Sequence, residues 1–265
     1  MLYTKFAIIG SGGFISKRHC EVIEQLGHKV TMTCDIDPSK NADFLDYKEM
    51  FKSKKFKNEV DAVVIATPNY CHKQMAIDAL ATGKKVLIEK PCIVDNDFEG
   101  LEGSFHVLQL RYHMLTPDIR KSLLETNNKI DLVMKVYRDD RWWNSWRGDF
   151  EHNGNILMSL AIHMFDYLIF LLGNEYEVIE SENHRKLCTG IIKFPTALIN
   201  YHVEVLNSKD GQTRSFIVNG QRFEMCDKEN LSFAGYHHLV HRDFIEGNGI
   251  PLSEARKAIE LVLKL

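Results

Sequence analysis

The chain has 265 residues, 45% hydrophobic and 26% charged, which fits one or two globular domains and excludes a disordered chain. Lysine and arginine number 33 against 36 aspartates and glutamates, a net charge of −3, so nothing draws the chain globally to nucleic acid or a membrane surface. Any anionic ligand has to be held by a local cluster of cations. No apolar run approaches the roughly 18 residues of a membrane helix. The first residues enter a strand without a signal-peptide pattern. Six cysteines, at 20, 34, 71, 92, 188 and 226, show no CxxC spacing and read as buried free thiols in a reducing, cytoplasmic compartment.

In chain order, strand-like runs at 6–9, 30–34, 62–66, 86–88 and 107–110 alternate with helical patterns at 15–26, 43–51 and 70–82. Strand and helix in alternation predict a parallel sheet with right-handed crossovers. The connection at 92–105 is short for such a crossover; 97–103 leaves room for one or two helical turns, so one sheet face is left less covered or is covered by another subunit. A helix at 117–125 and a strand at 129–138 follow, then a tryptophan-rich loop and an apolar helix at 156–172. Successive strand runs at 178–181, 186–194, 197–205 and 215–219 predict a mainly antiparallel sheet, and helices at 237–246 and 253–265 close the chain. The predicted fold class is α/β: a Rossmann domain over 1–112, then an α+β domain with an open sheet over 113–265.

Gly10-Ser11-Gly12-Gly13-Phe14-Ile15 follows an apolar strand and opens a helix, the context of a dinucleotide fingerprint. Gly10 permits the tight turn, Gly12 lets the backbone approach a pyrophosphate, and Ile15 replaces the third glycine. Asp35 ends the second strand about 20 residues on, where an acid bonds the adenosine ribose. Asp37 adds a second negative charge, and both disfavour the extra phosphate of NADP, so the expected cofactor is NAD.

Further segments narrow the reading. Ala66-Thr67-Pro68-Asn69-Tyr70-Cys71-His72 follows the third strand, Glu89-Lys90-Pro91 follows the fourth, and Trp146-Arg147-Gly148 and His163-Met164-Phe165-Asp166 come later. The chain resembles the Gfo/Idh/MocA oxidoreductases over nearly its whole length. It is most similar to the branch of UDP-N-acetylglucosaminuronate 3-dehydrogenases, through Gly13-Phe14-Ile15-Ser16-Lys17-Arg18-His19, Leu108-Gln109-Leu110-Arg111-Tyr112-His113, Ser145-Trp146-Arg147-Gly148-Asp149 and Val218-Asn219-Gly220. The resemblance implies that Thr67, Pro68, Asn69, His72, Glu89, Lys90, Gln109, Trp146 and Arg147 join the fingerprint in holding NAD. It also implies a sugar dehydrogenase acting at the third carbon of a UDP-linked N-acetylhexosaminuronic acid, with a 2-oxo acid as a possible second substrate that recycles the cofactor.

Lys90 stands at the carboxyl end of a parallel strand, where ligands bind in open α/β sheets. The resemblance places it on the hydroxyl being oxidised, where its cation stabilises a developing alkoxide. His163 is the candidate general base, its ordinary pKa near 6.5 suiting proton transfer at neutral pH. Lys90, His163 or both remove the proton. Ser159 and Asp166 lie four residues before and three after His163, so the three can share one helical face. Ser159 stands where many family members carry aspartate, and a serine cannot stabilise an imidazolium by charge.

Residues 138–147 hold three arginines and all three tryptophans. Arginine forks suit carboxylate and phosphate oxygens, and tryptophan faces suit a sugar or uracil ring. Arg111, Tyr112, Arg141, Asn144, Ser159 and His163, with Lys90, are the expected substrate contacts; the alternative for the loop is packing, with its arginines paired to Asp139, Asp140 or Asp149. His237, His238 and His241 lack a zinc-motif context and read as a solvated face or a packing position, so no metal is expected. By resemblance the open sheet packs another subunit in a homodimer or homotetramer. Two other functions fit the same residues: a dehydrogenase of a free sugar or polyol, and a catalytically silent NAD-binding assembly protein.

Overall fold

A computed structural model describes residues 3–226 and 234–265. The chain forms two compact units, Met1–Leu108 with Tyr236–Arg256, and Gln109–Gly235 with Lys257–Leu265. The helix His237–Glu246, read from the sequence as part of the second domain, belongs to the first unit.

The first unit is built on β1 (Lys5–Ile9), β2 (Lys29–Cys34), β3 (Ala62–Ile65), β4 (Lys85–Ile88) and β5 (Phe105–His106). From one edge the order is β2, β1, β3, β4, β5, all parallel, and the short strand Ile250–Pro251 adds antiparallel to β5. All four residues of β3 are buried, as expected of a strand covered on both faces. The helix Phe14–Gln25 turns Ser16, His19, Val22 and Ile23 inward at helical spacing. The fifth strand lies at Phe105–His106, ahead of the predicted 107–110, and Gln109–Tyr112 is a 3-10 turn.

The connection from β4 to β5 contains no helix, where one or two turns are predicted. Asp95 and Asp97 accept from the amides of Asp97 and Glu99, and Gly100 and Gly103 take positive φ, +82° and +88°, so the chain turns repeatedly and never winds. Cys92, Ile93, Phe98 and Leu101 of this loop are buried and supply the apolar cover that a crossover helix gives elsewhere.

The second unit carries β6 (Asn128–Tyr137), β7 (Glu177–Asn183), β8 (Leu187–Phe194), β9 (Ala197–Leu206), β10 (Thr213–Val218) and β11 (Gln221–Glu224), in the order β11, β10, β6, β9, β8, β7. Only the central pair β6 and β9 is parallel. Alternating side chains of β6 and β9 are buried. Phe165 and Tyr167, on the helix Ile162–Leu172, pack edge-on and tilted against Tyr201 and Phe216, with ring centroids 5.5 and 5.4 Å apart. All six cysteines are free; four are buried, and Cys20 and Cys71 are half-buried. No described helix is long and apolar enough to cross a membrane.

Candidate functional site

The fingerprint of the first unit forms the turn its glycines require. Gly10 has φ +83°, and a β-carbon there would lie 2.7 Å from the Ala66 carbonyl oxygen, so a side chain is excluded on both counts. Gly10 N–H donates to Cys34 O at 2.8 Å and Gly13 N–H to Gly10 O at 3.0 Å, closing the loop onto the sheet. The helix then starts at Phe14 with no side-chain cap and no acid in its first turn. Its amino end, with its partial positive charge, would suit the charge of a bound phosphate. Asp35 stands just past β2, its Oδ2 accepting from Gly12 N–H at 2.8 Å and its Oδ1 from Asp37 N–H at 3.0 Å. Glycine cradle, uncapped helix and strand-end acid fit a dinucleotide. Gly10, Ser11, Gly12 and Gly13, their amides bonded within the turn, would lie against its pyrophosphate and Asp35 against its adenosine ribose.

Ile36 and Lys40, beside the turn, gave no signal in the sequence. Ile36 is 88% exposed beside Asp35, as is Phe14 beside Gly13, so two large apolar side chains flank the turn. The Lys40 side chain lies across Gly12, where it would contact any β-carbon added there.

The loops after β3 and β4 are tied together. His72 is buried, with Nδ1 2.7 Å from Pro91 O and Nε2 2.8 Å from Thr67 O; the ring lies between the two loops, and in its neutral form it donates to one of the two carbonyls. Burial lowers its pKa, outweighing those two bonds. Thr67, Pro68 and Lys90 are half-buried, Asn69 is buried, and the Lys90–Pro91 bond is cis. Glu89 points inward. Its Oε1 lies 3.0 Å from His19 Nε2, and its Oε2 accepts from Lys90 N–H at 3.1 Å.

In the second unit His163 is 4% exposed at the start of the helix Ile162–Leu172. The preceding Leu157–Ala161 is π-helical, where one continuous helix is predicted. Asn155 caps the start of this stretch: its Oδ1 accepts from Leu157 N–H and Met158 N–H, and its carbonyl from Ser159 N–H and Oγ. The wider stagger of a π turn breaks the α-helical step assumed between Ser159 and His163. Asp166 accepts from Arg111 Nε at 2.9 Å and Nη2 at 2.6 Å; it is fully buried. The Arg111 guanidinium is thus clamped on Asp166 and stacked 5.4 Å from the Phe170 ring. Gln109 is buried, Tyr112 half-buried.

Within 138–147 the residues separate. Arg141 is almost fully exposed and pairs with Asp139 at 2.9 Å, the surface pairing weighed against a binding role, and Asn144 is exposed beside it. Arg147 is half-buried, stacked 4.5 Å from the Trp146 ring. Burial pushes the Arg138 guanidinium down to about 10, helped by repulsion from Arg214 and Arg147. Arg214 is itself buried, on β10, and burial lowers its pKa too. Arg138 therefore feels the charge of both Arg147 and Arg214. Arg214 gave no signal in the sequence, because it stands far along the chain on a strand otherwise read for packing.

Residues 4–107 match the model of the oxidoreductase family's NAD-binding Rossmann fold, and 126–232 match that of its C-terminal alpha/beta domain. The chain belongs to the Gfo/Idh/MocA oxidoreductase family. Its nucleotide domain is of the NAD-binding type, in keeping with the glycine turn and Asp35. A glucose-6-phosphate 3-dehydrogenase of Bacillus subtilis is 26% identical over 196 residues, 65% of this chain and 55% of that protein. The chain spans about half the length of the curated relatives it matches, 44% and 55%. The WlbA dehydrogenase of Thermus thermophilus superposes with a TM-score of 0.85 in two solved structures. The complex with NAD and UDP-GlcNAcA is 22% identical, covering 98% of this chain and 93% of that one. The complex with NAD and alpha-ketoglutarate is 23% identical, covering 97% and 92%. At these identities the likeness shows the shared Gfo/Idh/MocA fold.

Proposed function

We propose that this Gfo/Idh/MocA protein oxidises the hydroxyl at the third carbon of a UDP-linked N-acetylhexosaminuronic acid. The observation that carries the choice of substrate is the charge repulsion that Arg138 feels from Arg147 and Arg214 in a chain of net charge −3. An anion bound beside them would relieve it. A sugar nucleotide with a carboxylate brings a diphosphate and an acid, and guanidinium forks fit both. A free polyol would bring no charge to that place. The solved WlbA complex with NAD and UDP-GlcNAcA supports the reading by analogy.

NAD, when bound, takes up the hydride from the sugar carbon. The protein's part is to manage the proton and the developing charge. Lys90 donates a hydrogen bond to the hydroxyl oxygen and stabilises the alkoxide as the O–H bond weakens. His163 accepts the proton on its imidazole. The Glu89 carboxylate, bonded to the Lys90 amide, fixes the strand end from which Lys90 projects. A 2-oxo acid would regenerate the oxidised cofactor in place, a role suggested by the alpha-ketoglutarate complex of WlbA. The open face of the second sheet would pack against a second copy of the chain.

The test is direct. Purified protein is mixed with UDP-N-acetylglucosaminuronic acid and NAD, with and without 2-oxoglutarate. Absorbance of the reduced nicotinamide is followed beside the oxidised sugar product. Product that disappears in Lys90→Met is the expected result. No product in either mixture, with NAD binding intact by calorimetry, would sink the substrate assignment, and turnover of a free sugar instead would move it to the polyol class.

A further inference from the structure

Four titratable side chains meet inside the first unit, away from the glycine turn. His19 projects from the helix Phe14–Gln25, Glu89 from the end of β4, and His237 and His241 from successive turns of the helix His237–Glu246. All four are buried, His19 and His241 completely. In the sequence only the histidines at 237, 238 and 241 stand close enough to suggest a cluster. The fold separates His238, which is exposed, and brings in His19 and Glu89 from more than a hundred residues away.

The geometry is that of a ligand set. Glu89 Oε1 is 3.0 Å from His19 Nε2 and 3.5 Å from His237 Nε2, and one donor atom from each residue fits within 4.8 Å of the others. A tetrahedral zinc ion with bonds near 2.0–2.1 Å has ligand edges of about 3.3 Å, between those two distances. Two imidazoles and a carboxylate are also a recurrent zinc set. His19 Nδ1 lies 2.7 Å from His241 Nε2, so His241 can accept the proton of the ring's far nitrogen once a metal ion replaces the proton shared by Nε2 and Glu89. A partner on the outer nitrogen is the usual support of a metal-bound histidine.

We propose that His19 Nε2, Glu89 Oε1 and His237 Nε2 form a binding site for a divalent transition-metal ion of the zinc class, with His241 orienting His19. The site lies one residue from Lys90, so a bound ion would pin the strand end that carries Lys90 to two helices. Metal and proton compete for the same lone pairs, so affinity falls as the pH falls.

The experiment uses the whole chain, stripped with a chelator and titrated with cobalt(II) and zinc(II). One equivalent of cobalt with the intense visible bands of a tetrahedral ion, displaced by zinc, is the expected result. His237→Gln should abolish it, His238→Gln should leave it intact, and His241→Ala should weaken binding by about 10- to 100-fold. No tetrahedral cobalt spectrum, or metal uptake equal in wild type and His237→Gln, overturns the site and leaves a metal-free hydrogen-bonded cluster. Should His237→Gln fail to fold, crystals of the wild-type protein soaked in zinc decide the matter. An anomalous peak about 2 Å from all three donor atoms supports the site, and its absence there refutes it.

Discussion

Replacing Asp35 by alanine tests whether this residue reads the cofactor. Each carboxylate oxygen already accepts one backbone N–H, Oδ2 from Gly12 and Oδ1 from Asp37, so a second lone pair on each is left for a ribose hydroxyl. A hydrogen bond to a charged group contributes about 1.5–3 kcal/mol, and 1.4 kcal/mol is tenfold in affinity, so losing one such bond weakens NAD by about 10- to 150-fold. NADP responds in the opposite sense. Its extra phosphate no longer meets the Asp35 charge, a repulsion of roughly 1 kcal/mol per charge pair at 4 Å in water, so preference shifts further than the NAD loss alone. Calorimetric titration of wild type and Asp35→Ala with each dinucleotide measures both effects. Unchanged NAD affinity in the variant would refute the assignment of Asp35 to the ribose.

Two further outcomes concern stability. Asp166→Ala removes the buried carboxylate that pairs with Arg111 and should cost about 3–5 kcal/mol, read as a lower urea midpoint; a midpoint equal to wild type would show the pair is not structural. His106 is buried, and burial, then repulsion from His72, pushes its pKa from 6.5 down to about 3. The folded protein resists protonation while the unfolded chain accepts it, so this contribution is fully present above 6.5 and is lost as the pH falls toward 3. At a pH of about 5 the loss is about 2 kcal/mol. His106→Leu should flatten the pH dependence of urea unfolding by that amount, and equal slopes in the two proteins would contradict burial of the imidazole as the cause.

The nucleotide turn was legible because its parts lie close in sequence. Gly10, Gly12 and Asp35 keep their spacing whatever the rest of the chain does. Lys90 was singled out by its place at a strand end and by resemblance, and His163 mainly by resemblance, since a lone lysine or histidine carries no spacing of its own. The cluster around Glu89 was illegible because its bonds join residues as far apart as His19 and His241, 222 positions along the chain. Arg214 was hidden in the same way. The missed strand Gln221–Glu224 had a signal: Asn219 and Gly220 take positive φ, 51° and 88°, in a two-residue turn that pairs Val218 with Gln221. The helical turns expected in 97–103 failed because aspartate side chains and glycines offer the backbone local alternatives to a helix.

The membership of Tyr236–Arg256 in the first unit bears on how the protein is made. A ribosome releases the five parallel strands long before it releases the helix that carries His237 and His241 and the strand that borders β5. Until then Glu89 and His19 lack their third partner, and Phe6 lacks the Phe244 ring that packs 6.2 Å away. The nucleotide unit therefore completes its interior only after the intervening second unit has been synthesised. The dinucleotide domain is a discontinuous folding unit whose closing piece arrives late, and it cannot be excised by cutting the chain once.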